Sequence, residues 1–151
     1  MMQAYSELIQ QRLKDNYCPL CNEWTTNYID SNETAYVVPA RTPYELDHIL
    51  ICPKAHLELQ SQCTHQQLVD MSTLLYKWTD IMYQNHQELV VFMRQWAVLG
   101  KTGKSIWHLH WHIIPNFTIQ YGWSQVDSDA RMFMSDEQYK DTISYLQSYI
   151  H

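Results

Sequence analysis

Apolar and polar positions along the chain switch several times between the short period of strands and the longer period of helices. Residues 3–16 predict a short helix that leads into a CPLC turn. TAYVVPA, residues 34–40, predicts a strand, and a turn around Pro43 separates it from a second strand, HILIC, residues 48–52. Pro53 is placed to end that strand. Thr64 with Gln67 three residues on forms a capping-box pattern. Leu68, Met71, Leu75, Trp78 and Met82 then follow at helical spacing and are expected to line a buried face. Residues 87–98 are strand-like, and SIWHLHWHII, residues 105–114, is the strongest strand signal, closed by Pro115. Ser135 with Gln138 opens a last helix whose Tyr139, Ile143, Leu146 and Ile150 share one stripe. No repeat or linker interrupts the series, so the expectation is one α+β domain over residues 1–151.

Composition narrows the function classes. The chain has 151 residues and a mass of 18.1 kDa, enough for one self-sufficient core. Its 46% apolar and 17% charged residues exclude a disordered polar chain or a charge-laced long helix. A net charge of -6 argues against a broad basic footprint, so no stable nucleic-acid partner is expected, while a local anion pocket stays compatible. No window reaches 18 unbroken apolar residues, so no membrane association is expected. The opening MMQAYSELIQQRLKDNY lacks the basic start and apolar core of a signal peptide. Four cysteines in a chain this long fit a reducing cytoplasm better than a disulfide scaffold. Cys18 and Cys21 carry the spacing of metal ligands or of a redox pair.

The chemistry concentrates in one segment. Alternate side chains of a strand share a face, about 6.6 Å apart. His108, His110 and His112 are therefore expected to project together, with Trp107, Leu109, Trp111 and Ile113 turned into an apolar layer. Such a row can bind one zinc ion, or one imidazole can act as nucleophile while its neighbours position and protonate. Gly103, Lys104 and Ser105 stand just upstream, and backbone N–H groups, a cation and a hydroxyl beside an imidazole suit a phosphate. His48, at the start of another predicted strand, can join from a neighbouring position. GKTGKS is not a P-loop, because Val98 stands where that pattern needs Gly and a strand follows where it needs a helix.

HLHWHII at 108–114, GKS at 103–105 and HILICPKAH at 48–56 together resemble the histidine-triad superfamily of nucleotidyl hydrolases and transferases. The resemblance runs from Cys18 to about Pro115. It implies a HIT-like fold, an antiparallel sheet with packed helices. It also implies that His110 attacks the α-phosphorus of a nucleoside phosphoanhydride or phosphoramidate, giving a nucleotidyl-histidine that water then hydrolyses. His112 matches the histidine near the leaving group and phosphate oxygens, Ser105 a phosphate or leaving-group contact, and His48 a residue of the nucleotide pocket. Gly103 and Lys104 complete the expected substrate-binding loop. Cys18 and Cys21 resemble the zinc-binding subset, in which His56 and His108 would complete a structural Cys2His2 site around an N-terminal segment at 14–24. The implied partners are a small-molecule nucleotide and a second copy in a homodimer.

Two positions depart from the family pattern. Lys104 replaces a common Gln, which bears on phosphate number or acceptor. Ala40 stands where a ribose-contacting Asp or Asn is usual, so Asn32 or another group takes over, or the ribose is held differently. Arg94 and Lys101 are secondary phosphate candidates, and Trp123 is a candidate for base stacking. His65, His86 and His151 are expected at the surface, and Cys52 as a small buried hydrophobe. Rival readings are a nucleotidyltransferase or phosphorylase and a nucleotide-binding regulatory protein with little turnover. A third is a structural zinc or redox CxxC protein.

Overall fold

The computed structural model describes residues 5–22, 26–93, 106–116 and 133–151. Helix α1 (Tyr5–Asp15) stops where Asn16 takes a left-handed φ of 50°. Tyr17 N–H bonds the Arg12 carbonyl at 3.0 Å and Asn16 N–H bonds that of Leu13 at 3.4 Å, the double bond of a Schellman turn. Asn tolerates this backbone region better than most residues. The turn delivers Cys18 directly, and Pro19 occupies the first position of the one-turn helix α2 (Pro19–Asn22).

Five strands form one antiparallel sheet among the described residues. They are β1 (Asp30–Ser31), β2 (Ala35–Pro39), β3 (Ile49–Pro53), β4 (Leu89–Met93) and β5 (Trp111–Pro115), in the order β1-β2-β3-β5-β4. Every residue of β2 and β3 is buried. That is why both read as unbroken apolar runs: the central strands are covered on both faces. Helix α3 (His65–Asn85) lies against β2, β3 and β4, and α4 (Asp136–Gln147) against β2. The expected capping boxes are present at Thr64 and Ser135.

The buried stripe of α3 is Asp70, Met71, Leu74, Trp78 and Met82. Leu74 takes the place expected for Leu75, and Leu68 and Leu75 are only half-buried. Asp70 belongs to the stripe because partners await it. Thr34 donates to Oδ2 from its N–H at 3.0 Å and its hydroxyl at 2.6 Å, and Gln66 donates to Oδ1 at 2.8 Å. Trp78 Nε1 likewise donates to Asp30 at 3.0 Å. These bonds dock α3 on the β1–β2 hairpin while its apolar face fills the core. On α4, Tyr139, Ile143 and Leu146 are buried as expected and Ile150 packs beside them.

Strand β5 is shorter than the sequence predicts, starting at Trp111 rather than Ser105. Its ladder with β3 ends at the pair Ile51↔Trp111. Further on, Pro53 has no N–H to offer, and the chain before Trp111 turns toward residues 56–57. There Leu109 N–H bonds the Leu57 carbonyl at 2.6 Å. Leu109, Trp111 and Ile113 are buried as expected, while Trp107 is half-buried.

The Asp70 latch gives stability a sign with pH. Hydrogen bonds from Thr34, with help from Gln66, hold the Asp70 carboxyl below its ordinary value. Its contribution is complete above the unfolded titration and disappears as pH falls through the lowered folded value. Asp70→Asn is expected to be less stable than the parent near neutrality and to lose less stability on acidification below about pH 4. Urea titrations of both proteins at stepped pH check this.

Candidate functional site

The local turns described above bring four metal-type ligands together. Donor atoms of Cys18, Cys21, His56 and His108 all lie within 4.8 Å of one another. His108 Nδ1 is 3.5 Å from Cys18 Sγ and 3.3 Å from Cys21 Sγ, and His56 Nδ1 is 3.2 Å from Cys21 Sγ. A tetrahedral ion with S at about 2.3 Å and N at about 2.0 Å sets S and N about 3.5 Å apart, which these distances match. His108 is wholly buried, and its Nε2–H donates to the Pro53 carbonyl at 2.7 Å. This bond fixes the tautomer that leaves Nδ1 as the ligand atom.

Burial, with the Cys21 thiol alongside, pushes the Cys18 thiol up to about 12. A cation among these donors reverses that balance, since a coordinating thiol is deprotonated outright. Protons therefore compete with metal for this cluster. Cys52, buried on β3, is a small core residue whose thiol is pushed up by burial, as its apolar surroundings require.

The row of three histidines divides between two sites. His108 turns to the cysteines, whereas the rings of His110 and His112 lie side by side with centroids 4.8 Å apart. Both His108 and His110 precede β5, so strand alternation binds neither ring, and only His110 stays beside His112. His110 Nδ1–H donates to the His108 carbonyl at 2.6 Å, which leaves its Nε2 with the lone pair. His112 has Phe92 stacked flat on it at 4.3 Å, its cross-strand partner in β4.

A second hydrogen-bond chain orients His112. Tyr44 N–H donates to His48 Nδ1 at 3.2 Å, so a neutral His48 carries its proton on Nε2. That N–H meets His112 Nδ1 at 2.8 Å, which places the His112 proton on Nε2. The result is one imidazole with its lone pair on Nε2 beside another with its N–H on Nε2. Such a pair can attack an electrophile and donate to its oxygens.

Gly103, Lys104 and Ser105 lie outside the described residues, as do Arg94, Lys101 and Trp123. Asn32 lies away from position 40. Its amide donates to the Asp70 carbonyl and its oxygen accepts from Ala35 N–H, at the end of β2 remote from the β3 end that His48 precedes. Ala40 is buried, its N–H on the His48 carbonyl. His86 is a correction: instead of facing solvent it bonds buried Asp47, with only 13% of its side chain exposed. Sequence reasoning also missed Tyr44, which acts through its backbone, and Phe92, whose pairing with His112 depends on register. Buried Arg41 was missed too; it bonds Asp136 at 2.8 Å and lies over the Tyr139 ring.

Comparison with known proteins bears on this geometry. The sequence profile described as HIT domain matches residues 22–119, well over half of the chain. No curated protein matches the sequence. The structure is similar to a hypothetical histidine triad nucleotide-binding protein from Sulfolobus tokodaii strain7, at 20% identity and a TM-score of 0.66, over 88% of this chain and 91% of that one. A diadenosine triphosphate hydrolase of Plasmodium falciparum, solved with Cyclomarin A, gives 18% identity and a TM-score of 0.64, over 83% and 77% of the two chains. A Zn-bound histidine triad family protein of Mycobacterium smegmatis gives 14% and 0.63, over 89% and 94%. At these identities the structures speak for the fold alone. The profile, matching a segment that contains both paired imidazoles and two of the four clustered ligands, makes this chain a member of the HIT domain family.

Proposed function

We propose that the protein is a nucleotide hydrolase that cleaves a nucleoside phosphoanhydride or phosphoramidate at the α-phosphorus and releases a nucleoside monophosphate. The observation that carries this reading is the His110 ring, whose Nδ1–H is tied to the His108 carbonyl beside a His112 oriented by His48. A nucleophilic imidazole needs its second nitrogen held by an acceptor, and the pair supplies that arrangement. His110 Nε2 forms a bond to phosphorus as the bond to the leaving group breaks, and the leaving atom takes up a proton from solvent. Water then attacks the nucleotidyl-histidine, the P–N bond breaks, the water's proton passes to solvent, and His110 is regenerated. His112 Nε2–H meets charge on the phosphoryl oxygens, with Gly103, Lys104 and Ser105 assigned to the same phosphate by sequence. The hydrolase of similar fold from Plasmodium falciparum supports dinucleoside polyphosphates as one substrate class.

The same reading takes residues 1–151 as one domain, with zinc in the Cys18, Cys21, His56 and His108 cluster as a structural ion. Two thiolates and two imidazoles in a closed tetrahedral set suit zinc, and the Zn-bound relative from Mycobacterium smegmatis supports it. A bound ion would hold the N-terminal segment against the segment before β5 that carries His108 and His110. A homodimer is part of the proposal. Val91 and Met93 are exposed on β4, the last strand in the sheet order, where a second copy would cover them.

Two outcomes are expected. With a panel of dinucleoside polyphosphates and a nucleoside phosphoramidate, the parent releases monophosphate, and His110→Ala loses about a thousandfold or more in rate. Parent quenched in alkaline denaturant, where a histidine P–N bond survives, yields a phosphoramidate-linked nucleotide that the variant lacks; a parent that binds nucleotide but forms neither product nor adduct overturns the hydrolase reading. Metal analysis finds one zinc per chain, and chelation or Cys18→Ser lowers the unfolding temperature. Zinc affinity falls as pH is lowered, because protons compete for thiolates and imidazoles. Equal stability with and without chelator overturns the structural role.

A further inference from the structure

Behind the histidine pair lies a second polar array that the mechanism does not use. His86, the residue that ends α3, bonds Asp47 Oδ2 at 2.9 Å through Nε2. Asn116 Nδ2 lies 3.3 Å from His86 Nδ1 and donates to it, which makes Nε2 the protonated nitrogen. Three chain segments therefore meet at one imidazole. Asp47 immediately precedes His48, and Asn116 immediately follows β5, the strand that carries His112. His86 itself is fixed from behind, its N–H on the Met82 carbonyl at 2.8 Å.

Asp47 is a costly residue to place there. Its backbone sits at a left-handed φ of 64°, which glycine adopts without strain. Its side chain is 2% exposed, and Oδ1 is buried with no hydrogen-bond partner among the described residues, a loss that a buried carboxylate does not recover elsewhere. Asn116 shares the left-handed geometry, at φ 55°, and anchors its own N–H on the Glu88 carbonyl at 2.8 Å. Two left-handed residues, one on each side of His86, close the ends of the two segments whose imidazoles must meet at 2.8 Å.

We infer that Asp47, His86 and Asn116 are positioning residues that set His48 against His112. Asp47 and His86 hold the turn before β3, and Asn116 holds the end of β5, so that His48 Nε2–H stays on His112 Nδ1. None of the three touches the reacting atoms; they act through the tautomer and placement of His112. The inference rests on the reading of His112 as the partner of His110 in nucleotide cleavage.

Asp47→Gly is the discriminating change, because glycine accepts the backbone geometry while removing the carboxylate. The expected variant is folded and binds zinc, with kcat about tenfold to a hundredfold lower and KM within about twofold of the parent. Asp47→Asn keeps an acceptor for His86 and tolerates φ above zero, so it restores most of kcat. In nitrogen-15 spectra of the imidazoles, the parent shows one tautomer each for His48 and His112, and Asp47→Gly shows averaging between tautomers. If Asp47→Gly does not fold, His86→Gln is measured in the same way with the same expectation. Parental kcat in the glycine variant, or lowered kcat with parental imidazole signals, overturns the positioning role. A parent that turns over none of the nucleotides counts against the functional reading alone; the imidazole spectra then decide the positioning role without it.

Discussion

His108 engages at three of its polar groups at once. Its Nδ1 meets both cysteine sulfurs, its Nε2–H holds the Pro53 carbonyl, and its own carbonyl receives the Nδ1–H of His110. A fully buried imidazole with any of these nitrogens unpaired would carry the desolvation cost of a lost hydrogen bond. The residue therefore has one acceptable orientation, and that orientation fixes the next histidine. The N-terminal segment, the end of β3 and the nucleophile candidate are joined through a single ring and the peptide group attached to it.

Placement of the two imidazoles follows from this junction and from the sheet. Because Pro53 cannot continue the ladder, the chain leaves β3 before Trp111 and gains the freedom to send His108 one way and His112 the other. From Trp111 onward, strand pairing takes over. His112 is opposite Leu50 on one side and Phe92 on the other, so its ring is confined by packing before any polar contact is made. His48 then approaches from the turn before β3, with Tyr44 N–H selecting its tautomer. Rigid strands and a buried anchor are the usual means of holding catalytic groups within a fraction of an ångström.

Much of this was legible in the residues. Capping boxes at Thr64 and Ser135 marked two helix starts, because a side chain that satisfies local N–H groups does so wherever the chain later packs. The Cys18, Cys21, His56 and His108 set, carried by resemblance, assembles as a cluster. Other features were hidden for a common reason. Leu74 rather than Leu75, the late start of β5, and the engagement of Asn32 by Asp70 all depend on which neighbour arrives from far along the chain. His86 looked like a surface residue because nothing within its own helix asks for a partner; Asp47, 39 positions away, supplies one.

Local chemistry thus determined the elements and the kinds of ligand, since helix caps, apolar periods and the reactivity of imidazole and thiolate are properties of short segments. The sequence by itself could place three histidines in a row, but it could not divide them. Tertiary structure made that division, because hydrogen-bond direction, tautomer and burial are set by atoms brought together across 35 to 90 residues of chain. A proline without an N–H and two left-handed residues decided where each ring points.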